Sequence, residues 1–171
     1  LIAAVLSHER LTALLLQQLL QESRGGAGTV FQALCRDPRF DRSLTQIASG
    51  AKLPSLRARA VDSVSRGKAF WPLGTSRKVW IDKSLGVYRL EADYRTRPLS
   101  IPLDGLSVLT EALRDPSAVV RRVALDGIIT HRDNIRFRAL VESVLANFHS
   151  DLRPSIHSRL AFLRTAQLKQ N

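Results

Sequence analysis

The chain has 171 residues, 44% of them hydrophobic, which is enough for one continuous core and too apolar for a disordered segment. Its net charge of +11 favours acidic partners, and its single cysteine excludes an internal disulfide framework and fits a reducing, cytoplasmic setting. Aromatics make up only 6%, so the core is expected to consist of Leu, Val, Ala and Ile, while Leu1 at the start and the lack of Met read as a fragment of a longer chain.

The first predicted element is an amphipathic helix over about 1–22, with Leu6, Leu14, Leu15 and Leu19 on one face. His8-Glu9-Arg10 and Gln17-Gln18 interrupt its apolar run too early for a membrane span, and Arg24-Gly25-Gly26 ends it. A second helix is expected over about 28–36. There Val30, Phe31 and Leu34 surround Cys35 and make it a small buried residue rather than a nucleophile. Two more helices are expected over about 40–49 and 54–66, separated by Ser49-Gly50-Ala51-Lys52-Leu53-Pro54. The latter carries Arg57 and Arg59.

Between about 67 and 102, Gly67, Pro72, Gly74, Gly86, Pro98 and Pro102 break any helical period. Tyr88, Leu90, Ala92 and Tyr94 alternate with Arg89, Glu91, Asp93 and Arg95, a period of two that predicts a half-buried strand. Val79-Trp80-Ile81 is its expected partner, joined through Asp82-Lys83-Ser84-Leu85-Gly86 as a hairpin. Both tryptophans and both tyrosines of the chain fall in this insertion. From Arg66 to Arg97 eight basic residues face three acidic ones, among them Arg77-Lys78 beside Trp80 and Tyr94-Arg95-Thr96-Arg97.

The helical period returns over about 103–114 and 117–130. Asp115 is placed to cap the second of these helices, and Pro116 is expected in its first turn, where the missing N–H is tolerated. Val120, Val123, Ala124 and Ile128 then recur as one buried face, with Arg121 and Arg122 between them. His131-Arg132, Arg136 and Arg138 form a second basic group. It leads into a helix over about 135–148 striped by Phe137, Leu140, Val141, Val144, Leu145 and Phe148. Pro154 opens a last helix over about 153–168.

The run from Ala112 to Ile128 resembles one unit of a HEAT-type helical repeat. Leu56 to Val64 lines up with Val120 to Ile128, matching Arg57 with Arg121, Ala60 with Ala124 and Asp62 with Asp126, 64 positions apart. Asp151-Leu152-Arg153-Pro154-Ser155-Ile156-His157 is a third copy, 36 positions on, near the ~40-residue period of such repeats. The copies depart from the pattern at Ala51 and His157, and the turn Asp37-Pro38 has Ser43 in its basic place. The resemblance implies a mainly α fold, a HEAT-like α-α superhelix of about four helix pairs in one domain over 1–171, with a small β-hairpin insertion. It also implies a ladder in which the turn Asp and a basic residue six places later, Asp115 and Arg121, link neighbouring repeats. Arg57 and Arg121 are therefore either ladder residues or cations of a concave face lined by the second helices.

Catalytic signatures fail on inspection. His8-Glu9 has Thr12 where a zincin helix needs its second His. His131-Arg132-Asp133 lacks a glycine-rich loop and the downstream Asn of a kinase. Arg66-Gly67-Lys68-Ala69 lacks the ends of a phosphate loop, and His149 with Asp151 reads as a capped turn. By fold analogy alone, Trp71, Trp80 and either Asp82 or Asp93 imitate the set of a HEAT-like alkyl-base DNA glycosylase.

The expected function is a non-catalytic scaffold that presents a basic surface to an acidic protein, without cofactor, metal or membrane. Nucleic acid is the alternative partner, since cations neutralise phosphate while rings stack on bases. The candidate binding residues are Arg57, Arg59, Arg77, Lys78, Trp80, Tyr94, Arg95, Arg97, Arg121, Arg122, Arg132, Arg136 and Arg138. For nucleic acid, Arg77, Lys78, Arg95, Arg97, Arg132, Arg136 and Arg138 should form one positive surface with an exposed ring.

Overall fold

The computed structural model describes residues 9–22 and 27–131. The helix pair expected over about 135–148 and 153–168, and with it Arg132, Arg136 and Arg138, lies outside the described residues. The described chain is mainly helical, with one two-stranded antiparallel sheet. Helices α1 (Glu9–Gln21) and α2 (Ala27–Cys35) are followed by a 3₁₀ turn at Pro38–Phe40. Next come α3 (Ser43–Gly50) and α4 (Pro54–Arg66), strands β1 (Lys68–Asp82) and β2 (Val87–Pro98), then α5 (Gly105–Ala112) and α6 (Ala118–Thr130).

Local chemistry sets these boundaries. Pro54 opens α4 where no N–H is needed, and Gly67 closes it with φ 62°, donating its own N–H to the Ser63 and Val64 carbonyls. Asp104 caps α5 by accepting from the Ser107 N–H at 3.1 Å. Asp115 accepts from the Ser117 N–H at 2.7 Å, so α6 begins only at Ala118. Pro116 is therefore in the turn before the helix, not in its first turn as expected.

Helix α4 is the centre of the body and packs against α3, α5, α6 and the root of β1. Phe31, Ile47, Leu56, Val61, Leu109, Leu113, Val120, Leu125 and Ile128 are fully buried, as is Ala124. Gly127 allows the close approach of α6 to α4: a Cβ there would meet Leu109 and Ser65 at 2.9 Å. Cys35 is buried, and burial pushes its thiol up to about 11, which leaves it unreactive at neutral pH.

The hairpin leaves the body after Gly67 and returns at Leu99, whose N–H donates to the Gly67 carbonyl at 3.0 Å. Its strands pair from Lys68 with Pro98 to Asp82 with Val87, with irregularities after Pro72 and after Trp80, and Gly86 turns its tip with φ 68°. Both strands are longer than the sequence suggested. The expected half-buried face is instead solvent-exposed: Tyr88 is 43%, Leu90 64% and Tyr94 55% accessible. The described helices meet the hairpin through the first part of β1, so among the described residues no layer covers the distal ribbon.

Candidate interaction surface

Three of the expected surface arginines are consumed inside the body. Arg57 makes a two-pronged ion pair with Asp115, Nε to Oδ2 at 2.6 Å and Nη2 to Oδ1 at 2.8 Å. Its Nη1 also donates to the Ala51 and Lys52 carbonyls at 2.6 and 3.1 Å. Arg121 repeats that last arrangement one helix pair later, donating Nη1 to the Asp115 and Pro116 carbonyls at 2.8 Å each. In both cases the accepting carbonyls lie six and five residues upstream, in the turn that precedes the helix. Both arginines are buried. They are not available to a partner, which corrects their assignment to a binding face.

Arg97 has the same fate at the root of the hairpin. It pairs with the buried Asp41 at 2.6 and 3.0 Å and donates to the Cys35 carbonyl at 2.9 Å. Asp41 also accepts from the Ser100 N–H at 2.6 Å and its hydroxyl at 2.8 Å. Burial alone would raise the Asp41 carboxyl, but Arg97 and Ser100 outweigh it and hold the group below the usual carboxylate range. This cluster fastens β2 to the turn after Pro38, a job the sequence did not reveal because the two partners are 56 residues apart.

The remaining described candidates are Arg59, Arg122 and those on the ribbon. Arg122 is exposed on α6. On the ribbon the pleat sorts side chains onto two faces. Tyr94, Ala92, Leu90 and Tyr88 share one face with their partners Pro72, Ser76, Lys78 and Trp80. Trp80 and Tyr88 meet edge to face at 5.5 Å, and the Lys78 ammonium sits 4.5 Å from the Tyr88 ring centre. At the root, Phe70 and Tyr94 make a second edge-to-face pair at 5.9 Å. The opposite face carries Arg77, Arg89 and Arg95 with Glu91, which Arg89 contacts at 2.6 Å and Arg77 at 3.6 Å. On the distal ribbon Arg77 and Arg89 thus lie on the face away from the Trp80–Tyr88 pair and Lys78 lies beside it, while nearer the root Arg95 is paired with Trp71.

Around the tip, Ile81 is 66% and Leu85 74% exposed, and the Asp82 carboxylate accepts from Ser84 and Leu85 to close the turn. Eight of the ten exposed large apolar side chains of the described residues lie between Leu73 and Tyr94. Sequence reasoning missed Ile81, Leu85, Val87 and Leu90 as surface residues. A signal existed: no further segment with a period of two could supply strands to cover the ribbon.

Arg59 lines a cleft of about 360 Å³ between α2, α4, α6 and the hairpin root, together with Gln32, Asp62, Phe70, Pro72, Tyr94 and Val123. Its guanidinium lies 4.7 Å from the Phe31 ring centre. The glycosylase-like set is not gathered there. Trp71 packs against the core, Asp82 closes the hairpin tip, and Asp93 accepts from the Thr75 hydroxyl at 3.0 Å. Trp80 is nine positions further along β1 than Trp71, on the order of 30 Å of extended strand.

Among the described residues no cluster of His, Cys, Asp and Glu is arranged to hold a metal, and no helix is long and apolar enough to cross a membrane. Comparison with protein-family models, with curated proteins and with solved structures finds no match to this chain.

Proposed function

We propose that this chain is a non-catalytic, HEAT-like helical interaction segment that engages an acidic protein surface through its projecting hairpin. The observation that carries the reading is the exposed apolar and aromatic face of the ribbon, backed by basic residues. A Trp–Tyr pair with aliphatic neighbours and a basic surround has the composition of a protein-binding hot spot. The overall charge of +11 selects an acidic partner and speeds encounter with it.

The HEAT-like part of the proposal draws support from the repeated turn. The pairs α3–α4 and α5–α6 are each closed by an arginine donating to carbonyls six and five residues upstream, and Arg57 of one pair grips Asp115 of the next. An arginine of one pair holding the turn Asp of the next, across the insertion, is a link of the kind that the resemblance implies, with Arg121 itself on the turn carbonyls. Nucleic acid is the weaker reading, because stacking rings and phosphate-neutralising cations belong on one face.

Selection from a displayed random-peptide library tests the proposal. Recovered peptides should be rich in Asp or Glu beside aliphatic or aromatic residues, and binding should fall on Trp80→Ser or Leu90→Ser. Tight binding of oligonucleotides that weakens steeply with salt, with no peptide enriched, would contradict it.

A further inference from the structure

Several exposed arginines of the body, Arg36, Arg42, Arg114 and Arg122, point to solvent, whereas those drawn into it are held by acceptors with one exception. Arg57 has Asp115 and two carbonyls, Arg97 has Asp41, and Arg66 has Asp62 at 2.5 Å. Arg59, half-buried at the cleft, has no carboxylate and no carbonyl accepting from it among the described residues. Phe31 beneath the guanidinium fixes its position without consuming its N–H donors. Burial pulls the group below the ordinary arginine range, so the arrangement works against the charge that the side chain carries.

We propose that the Arg59 cleft receives a single carboxylate, the Asp or Glu side chain of an extended segment of the partner. This rests on the reading of the hairpin as a protein-docking arm. A guanidinium with free N–H donors suits a bidentate carboxylate. The remaining lining argues against a nucleic-acid strand. Phe70, Pro72, Tyr94 and Val123 are apolar or aromatic, Asp62 is already paired with Arg66, and among the described residues Arg59 is the one cation lining the cleft. A phosphate backbone needs several cations along its path.

The position of Tyr94 extends the inference to the shape of the ligand. Tyr94 belongs to the cleft wall and also begins the exposed ribbon face that continues through Ala92 and Leu90 to Tyr88. Tyr88 is six positions from Tyr94, about 20 Å along a strand. A partner segment lying along the ribbon therefore carries its acid about six residues from its apolar anchor.

Fluorescence anisotropy with labelled nonapeptides tests this. One peptide has Glu six residues from a Leu-Phe pair, a second has Gln for Glu, a third has the spacing cut to two, and oligothymidylate is the fourth probe. Glu-to-Gln exchange should weaken binding about tenfold or more, as for a close charge pair. That difference should vanish in Arg59→Gln and be partly kept in Arg59→Lys. The melting midpoint of Arg59→Gln should change little, because no hydrogen bond or ion pair is lost and the contact with the Phe31 ring is offset by relief of a half-buried charge. A midpoint that falls in step with binding would make Arg59 a structural residue and overturn the proposal.

If Glu and Gln peptides bind equally while Tyr88→Ser weakens both, the cleft proposal fails and the hairpin reading survives. If no peptide binds and Tyr88→Ser changes nothing, both fail. Oligothymidylate binding that depends on Arg59 would replace the carboxylate by phosphate and also overturn the proposal.

Discussion

The helical body and the hairpin treat the same residue types in opposite ways. In the body, and at the hairpin root where Arg97 joins it, Arg57, Arg97 and Arg121 are turned inward onto carboxylates and turn carbonyls, and the apolar side chains are buried. In the hairpin, cations and large apolar side chains alike face solvent on a ribbon that touches the body at its root. The count of 26 Lys and Arg therefore does not measure the positive surface, since part of it is structural. The surface where a partner finds apolar area is also the part that contributes least to the fold.

That contrast can be broken by substitutions. The largest expected effect is at the Arg57–Asp115 pair, whose side chains are about one-tenth exposed. Asp115→Ala or Arg57→Ala should cost about 3–5 kcal/mol in chemical unfolding, because each leaves a buried charge unpaired. Little change would mean that the two helix pairs do not depend on this link.

Next is Asp41, where Asp41→Asn should cost about 3 kcal/mol by leaving Arg97 without its anion. Its carboxyl is held down in the folded state, so its contribution is complete above the unfolded aspartate value of about 4 and is lost as pH falls through the folded value. Unfolding midpoints of parent and variant should therefore converge in acid. A constant gap would show that the charge is not what matters.

A smaller loss is expected at the close approach of α6 to α4. Gly127→Val should cost about 2 kcal/mol through overpacking against Leu109 and Ser65, read as a lower melting midpoint. The smallest stability effect belongs to the hairpin, where Leu90→Ser should change unfolding free energy by no more than about 0.5 kcal/mol. A cost like that of Gly127→Val would place Leu90 in a packed layer.

Between Glu9 and Thr130 the helices were legible within a few residues, the start of the first aside, because apolar spacing and breakers are local. Leu56, Ala60 and Val61 or Val120, Ala124 and Ile128 mark a buried face without reference to the rest of the chain. The hairpin was legible for the same reason, as a change of period from 3.6 to 2. Its orientation was not, because alternation says that two faces differ and not which one meets the body. The fates of the arginines were hidden for a related reason. The Arg57–Asp115 and Arg97–Asp41 pairs are 58 and 56 residues apart, and nothing near Arg59 in the sequence marks it as a half-buried cation without an acceptor.

The most direct measurement is an anisotropy titration of Trp80→Ser beside the parent, using an acidic, apolar peptide recovered by selection. The ribbon account predicts a loss of about tenfold or more, the size of a central aromatic hot spot. Unchanged affinity would contradict it and return the binding surface to the helices.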